Sequence, residues 1–71
     1  MIDRNKFRAA VIEKGLSMKE VAEYLGINVS TLYRKIGGES DFTREELQIL
    51  RKKMLLSDEQ IMSIFFAEKL A

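Results

Sequence analysis

The side chains able to do chemistry in this sequence are few, because histidine and cysteine are both absent. Their absence excludes a zinc finger, a disulfide framework, a thiol nucleophile and any mechanism that needs an imidazole. What remains in close spacing is a run of hydroxyl and cationic groups at Ser30, Thr31, Tyr33, Arg34 and Lys35. Such groups donate hydrogen bonds to anions and polar surfaces, so they favour recognition over bond making.

Paired carboxylates are the main feature that could indicate an enzyme. Their positions in this sequence weaken that interpretation. Asp58-Glu59 and Glu45-Glu46 stand where helices are predicted to begin, and acidic side chains there interact favourably with the helix dipole. The sequence also lacks a glycine-rich phosphate loop. We therefore expect no enzyme activity, no metal, no cofactor and no small-molecule substrate.

The chain is short, with 71 residues, which predicts a single domain spanning residues 1–71. Its 46% apolar and 32% charged residues are typical of a soluble globular domain. No apolar run approaches the roughly 20 residues of a membrane span, so we expect no membrane contact. The lack of cysteine fits a reducing cytoplasm. Because the net charge is only +1, an anion-binding surface must come from the placement of charge.

Start signals of one type divide the chain into helices. Each is a hydroxyl residue followed three positions later by Glu or Gln, the pattern of a capping box. The three matches are Ser17–Glu20, Thr43–Glu46 and Ser57–Gln60. Glycines supply the stop signals, since a left-handed residue commonly follows a helix. These glycines are Gly15, Gly26 and the pair Gly37-Gly38.

Apolar residues spaced three and four apart complete the assignment of helices, and no segment alternates as a strand would. The predicted helices are Arg4–Lys14, Met18–Leu25, a third from after Asn28 to about Ile36, about Arg44–Lys53 and about Asp58–Leu70. The predicted fold class is all-α, a compact bundle of five short helices. Its expected core comprises Phe7, Val21, Ala22, Leu25, Leu32, Leu47, Leu50 and Phe65.

The second and third predicted helices are separated by a short turn with Gly26 at the bend. This spacing is typical of a helix-turn-helix, in which the second helix crosses the first. Ala22 is small where the two helices must approach, Ile27 fills the wedge between them, and Leu32 anchors the later helix inward. The outward positions of that helix are therefore left for a partner.

The segment Ser17–Ile36 resembles the helix-turn-helix of the phage Cro/CI repressor (XRE) family. Leu25–Phe42, and the ending around Leu56-Ser57 and Ile64–Phe66, are similar to small Cro-like regulators of temperate phages, above all the lactococcal modulator-of-repression proteins. The resemblance implies a lambda-repressor-like fold working in the cytoplasm of a bacterial host cell. It also implies double-stranded operator DNA and a cognate CI-type repressor as partners.

Four outward residues of the third helix are candidates to contact DNA bases: Val29, Ser30, Tyr33 and Arg34. A bidentate contact from Arg34 to guanine O6 and N7 would give roughly 1–3 kcal/mol of discrimination. Ser30 can donate to or accept from most bases, and Tyr33 suits a phosphate or sugar. Two alternatives stay open: partial burial of Val29 in the core, and Arg34 and Lys35 as solvated surface charges.

Candidate phosphate contacts lie at helix starts, which attract anions, and at nearby cations. They are Ser17, Lys19, Asn28, Thr31, Lys35 and Arg44, with Arg8 as a further candidate. Each has an alternative role on a solvated face, and Ser17 has one as a helix cap. The family pattern often has glutamine at the first position of both helices, where this sequence has Met18 and Val29. That departure removes two familiar amide contacts.

The last predicted helix carries more apolar surface than one core contact needs. Met62, Phe66 and Leu70 form a row spaced four residues apart, rotated by about 100° from the row that includes Ile61 and Phe65. One interpretation is an interface for a second copy or a partner protein. The other is that Phe66 completes a small core beneath the first helix.

The sequence thus predicts a small transcriptional regulator of a phage lysis–lysogeny switch that binds operator DNA through its third helix. A homodimer would bring two such helices to two half-sites. The alternative is an antirepressor or co-repressor that engages the CI-type repressor with little DNA binding of its own. The helix-turn-helix and Arg34 favour DNA, whereas the low net charge, Met18, Val29 and the apolar last helix favour the repressor.

Overall fold

Five α-helices form the structure, which we describe for residues 2–67 from a computed structural model. They are α1 (Arg4–Glu13), α2 (Met18–Leu25), α3 (Val29–Ile36), α4 (Arg44–Lys53) and α5 (Asp58–Phe65). No strand occurs within residues 2–67. The predicted all-α bundle of five short helices is confirmed. None of the helices in this part of the chain is long and apolar enough to cross a membrane.

All three predicted capping boxes are present. At α2, the Ser17 hydroxyl accepts a hydrogen bond from the Glu20 amide at 3.1 Å, and the Glu20 carboxylate accepts one from the Ser17 amide at 3.0 Å. The same reciprocal pair opens α4 and α5. The α1 helix begins differently, since the Asp3 carboxylate accepts from the Lys6 amide at 3.0 Å. Each cap stabilises its helix by about 1 kcal/mol.

Three phenylalanines from distant parts of the chain, the buried Phe7 and Phe65 and the half-buried Phe42, contact one another. The ring centroids of Phe7 and Phe42 are 6.1 Å apart, and those of Phe42 and Phe65 are 5.3 Å apart in an edge-to-face arrangement. Because Phe42 lies in the loop between α3 and α4, this cluster fixes that loop against α1 and α5. The Asp3 amide also donates to the Ile64 carbonyl at 2.7 Å, which ties the start of α1 to α5.

The predicted core is confirmed except at Leu25 and Leu47, which are half-buried and pack against its edge. The buried core also includes residues at the end of α4 and in the turn that follows it. Met54 and Leu56, on either side of the turn after α4, are 1% and 5% exposed.

The predicted extension of the last helix to about Leu70 is wrong, because α5 ends at Phe65. Phe66 leaves the helix with φ −128° and ψ 38° and packs, half-buried, against the core. The Phe66 amide still donates to the Met62 carbonyl at 3.1 Å, but the predicted row does not continue past Phe66 as an α-helix. Leu70, the third predicted member, lies outside the described residues.

The helix-turn-helix depends on a close approach of α2 and α3. Ala22 is 2% exposed and Leu32 is fully buried, as the spacing predicted. Gly26 turns the chain with φ +68°, and the next amide, of Ile27, donates back to the Ala22 carbonyl at 3.1 Å. Ile27 is half-buried and packs against the core.

Replacing Ala22 with leucine should lower the free energy of unfolding by about 1–3 kcal/mol, because the added atoms have no space between α2 and α3. Thermal unfolding followed by circular dichroism measures the loss. Glu23→Leu places the same side chain on the exposed neighbouring position and should change stability by less than about 0.5 kcal/mol. Equal melting of the two variants would show that α2 and α3 do not pack closely at Ala22.

Candidate nucleic-acid interface

The α3 helix has one fully packed face and one open face. Leu32 and Ile36 are buried, whereas Val29 and Tyr33 are 39% and 48% exposed. Ser30 and Arg34 are exposed as well, so the four predicted base-contacting residues share the open face, within an arc of about 140°. At 39% exposed, Val29 stands on this face and is still partly covered by the protein. Whether these side chains touch bases stays a prediction.

The start of α2 offers backbone donors beside this helix. Its capping box occupies the amides of Ser17 and Glu20, which leaves those of Met18 and Lys19 as the open donors of the first turn within the described residues. The Ser17 hydroxyl accepts a hydrogen bond from Glu20 and keeps its own proton to donate. Lys19 is exposed next to these groups. Ser17 can therefore serve as a cap and as a phosphate donor together.

The other residues predicted to contact phosphates differ in their exposure to solvent. Asn28 precedes α3 without a side-chain capping bond and is exposed, so its amide group is available to a partner. Thr31 is half-buried on α3. Arg44 is exposed at the first position of α4. It lines a groove together with Phe42 and Phe66.

Lys35 is the predicted phosphate contact that the structure does not bring to the surface. Its ammonium donates to the Asp41 carbonyl at 3.0 Å and lies 3.1 Å from a carboxylate oxygen of Glu46, and its side chain is only 12% exposed. It also lies 5.8 Å from the centroid of the Phe42 ring. These contacts give Lys35 a structural role, holding the loop after α3 against α4. We correct its assignment accordingly.

Lys35 and the helix cap at Thr43 change the pKa of the Glu46 carboxyl. Burial raises the pKa of its carboxyl, but the hydrogen bond from the Thr43 amide and the hydrogen bond and charge of Lys35 together outweigh it. The net pKa is lower than the ordinary value of 4.5. The carboxylate is therefore ionised at neutral pH, as both its capping role and its ion pair require.

A cleft between α1 and the end of α3 brings Arg8, the further phosphate candidate, together with Arg4, which the sequence did not indicate. It has a volume of about 370 Å³ and is lined by Arg4, Asn5, Arg8, Tyr33 and Gly37, among others. Arg4 and Arg8 are one helical turn apart and both exposed. Their spacing of four residues was visible in the sequence, but only the packing of α1 beside α3 puts them next to Tyr33.

Acidic side chains occur near α3 as well, and Asp3 lines the cleft itself. Glu39 and Asp41 are exposed in the loop that follows α3, and Glu23 is exposed on α2. With a net charge of +1, the protein has little long-range attraction for a polyanion. Recognition must therefore depend on short-range contacts made by α3 and its flanking donors.

Residues 7–61 match the model of a protein family described as helix-turn-helix. Since the match covers most of the chain, the protein belongs to this family, whose Cro/CI-type (XRE) members are DNA-binding transcription regulators. The family acts by binding DNA, commonly as dimers, and is not a family of enzymes. No curated protein and no solved structure matches the chain. The similarity to phage proteins in particular stays a prediction.

Replacing Glu46 with glutamine should lower the free energy of unfolding by about 1 kcal/mol at neutral pH, because it removes the charge that faces Lys35. Glutamine still completes a capping box, so the helix start is preserved. A carboxyl with a lowered pKa stabilises the fold above its unfolded-state pKa, and this stability disappears as the pH falls through the folded-state value. Wild type and variant should therefore converge at acidic pH.

Chemical denaturation between about pH 3 and pH 7 measures this difference. The matched control is Glu45→Gln, which removes the same charge one residue away on an exposed position. A stability gap that stays constant over the whole pH range would contradict the assigned ion pair.

Proposed function

We propose that this protein is a small DNA-binding regulator of a phage-type genetic switch, acting on operator DNA through α3. The observation that carries the proposal is the division of α3 into a fully packed face and an open face bearing Val29, Ser30, Tyr33 and Arg34. The open face belongs to the later helix of a helix-turn-helix, the element that enters the major groove in proteins of this type.

The side chains on the open face of α3 determine which bases it recognises. Arg34 reads guanine through two parallel hydrogen bonds, Ser30 donates to or accepts from a neighbouring base edge, and Val29 packs on a thymine methyl. Tyr33 stands beside the cleft that holds Arg4 and Arg8, so it contacts the sugar–phosphate backbone where these arginines also reach it.

Phosphate contacts on the other side of α3 come from the start of α2. The open amides of Met18 and Lys19, with the Lys19 ammonium and the Ser17 hydroxyl, bind one phosphate, and Asn28 binds next to it. Lys35 is left out of this set because Asp41 and Glu46 hold it inside. Arg44 contributes only if the duplex extends past the loop that follows α3.

One α3 helix reads only a few base pairs, so we propose binding as a homodimer at two half-sites about one helical turn apart. Because the net charge is only +1, the affinity for DNA depends on few phosphate contacts. Each of these contacts adds to the salt dependence of DNA binding. We place this activity in the cytoplasm of a bacterial host, with residues 1–71 acting as one domain.

A second candidate function is that of an antirepressor that binds a CI-type repressor protein. It is favoured by apolar exposure on the recognition surface itself, at Val29 and Tyr33, and on α5 at Met62, which is 41% exposed. Phe66 contributes less than the sequence predicted, since it is half-buried against the core. If α3 binds the repressor, DNA and repressor compete for one surface.

Substituting Arg34 with alanine should relax the base preference at one position of the site, because the bidentate contact is lost. Substituting Lys19 with alanine should weaken binding to all sequences alike and reduce the slope of log affinity against log salt by about 1. Selection of binding sites from a random duplex pool, followed by titration of the selected duplex at several salt concentrations, measures both effects.

Glu39→Ala is the control for the selection, since it removes an exposed charge beside α3 without removing a donor. An Arg34→Ala protein that selects the same site as the wild type would show that Arg34 touches only the backbone. If no duplex binds even at low salt, the protein-binding function becomes the supported one.

A further inference from the structure

The cleft between α1 and the end of α3 brings together polar side chains that have no partner in the protein. Four of its lining residues carry hydrogen-bond donors: Arg4, Asn5, Arg8 and Tyr33. Within residues 2–67, none of these four side chains forms a hydrogen bond or an ion pair with another residue. We call these four residues, with the space between them, the Arg4–Arg8 cleft.

The two arginines stand where helix stability does not favour them. They are four residues apart on α1, and like charges at this spacing repel each other. Arg4 also occupies the first position of α1, where the helix dipole disfavours a cation, and no acidic residue lies in that first turn. No ion pair within the described residues offsets these costs, whereas a bound anion would relieve both.

The donors of the Arg4–Arg8 cleft match a phosphate group. A guanidinium presents parallel N–H groups that bind two phosphate oxygens at once, and the cleft has two guanidinium groups. The Asn5 amide and the Tyr33 hydroxyl can donate to further oxygens. Asp3 also lines the cleft, and one oxygen of its carboxylate already accepts from the Lys6 amide. The volume of about 370 Å³ falls within the roughly 300–1,000 Å³ of small-ligand sites.

We propose that the Arg4–Arg8 cleft binds one phosphate group, on which both arginines converge. This inference rests on the proposed function for the source of that group, a DNA backbone phosphate beside the bases that α3 reads. The DNA backbone fits because Tyr33 belongs both to the cleft and to the open face of α3. The clamp then holds α1 against the duplex without reading its sequence. A free phosphorylated molecule shares this chemistry, and the experiments below distinguish the two sources.

The first experiment uses the whole protein and the selected duplex, with single phosphates replaced one at a time by uncharged methylphosphonates. For the wild type, removing the charge of the phosphate in the cleft should weaken binding at least about tenfold, as expected for charge-assisted hydrogen bonds. Arg8→Gln should bind the unmodified duplex more weakly and lose most of its sensitivity at that one position. Arg4→Gln should lose sensitivity at the same position, and both variants should select the same base sequence as the wild type.

Lys6→Gln is the matched control. It removes a positive charge from an exposed residue of α1 that lies about 160° around the helix from both Arg4 and Arg8 and does not line the cleft. This variant should keep the wild-type response at every phosphate. Thermal unfolding provides a control for the fold, because Arg8→Gln removes a like-charge repulsion and should melt no lower than the wild type.

The second experiment tests the cleft without DNA. Inorganic phosphate is added to the whole protein, with sodium chloride at the same ionic strength as the reference, and the arginine N–H and tyrosine ring signals are followed by NMR. Phosphate should shift the signals of Arg4, Arg8 and Tyr33 more than chloride does. Arg8→Gln should abolish the phosphate-specific shift of Tyr33, and Lys6→Gln should keep it.

Equal responses of Arg8→Gln and Lys6→Gln in both experiments would overturn the proposal. A lower melting temperature of Arg8→Gln would assign that arginine to the fold instead. Phosphate binding in the cleft, with no duplex position that depends on Arg8, would support the phosphate site and assign it to a free phosphorylated molecule. If no duplex binds the wild type, the proposed function fails, and the titration with inorganic phosphate still decides whether the cleft binds phosphate.

Discussion

The close crossing of α2 and α3 at Ala22 is the constraint on which the rest of the structure depends. Ala22 on α2 and Leu32 on α3 are both nearly inaccessible members of one core, and the two helices pack against each other. A larger side chain at Ala22 would move α3 outward, and the residues on its open face would lose their common orientation. Because the packed face of α3 sets the direction of its open face, the small volume of Ala22 controls how the recognition surface is oriented.

The cations near α3 divide into structural and available ones, and that division comes from burial. Lys35 contacts Asp41 and Glu46 with little of its side chain exposed, so it stabilises the loop after α3. Arg34, the residue before it, is exposed and free to contact a partner. Successive side chains on a helix point about 100° apart, so Arg34 faces solvent while Lys35 faces the interior.

Exposed apolar side chains identify the surfaces where the protein departs from what stability alone would select. Val29 and Tyr33 stand on the recognition face, Ile12 lies in the last turn of α1, and Leu55 follows the end of α4. Leu55 is the sharper case, since its backbone conformation is one that glycine adopts freely. Exposure combined with strain is stronger support for a contact surface than exposure by itself.

The helix starts, the stop glycines and the helix-turn-helix can be predicted from the sequence, because caps and turns join residues only three to five positions apart. The outward face of α3 follows from helical periodicity as well. The inward turn of Lys35, the position of Arg4 and Arg8 beside Tyr33, and the end of α5 at Phe65 emerge only when the chain is packed. These outcomes depend on contacts between distant segments, such as the cluster of Phe7, Phe42 and Phe65, which no local pattern encodes.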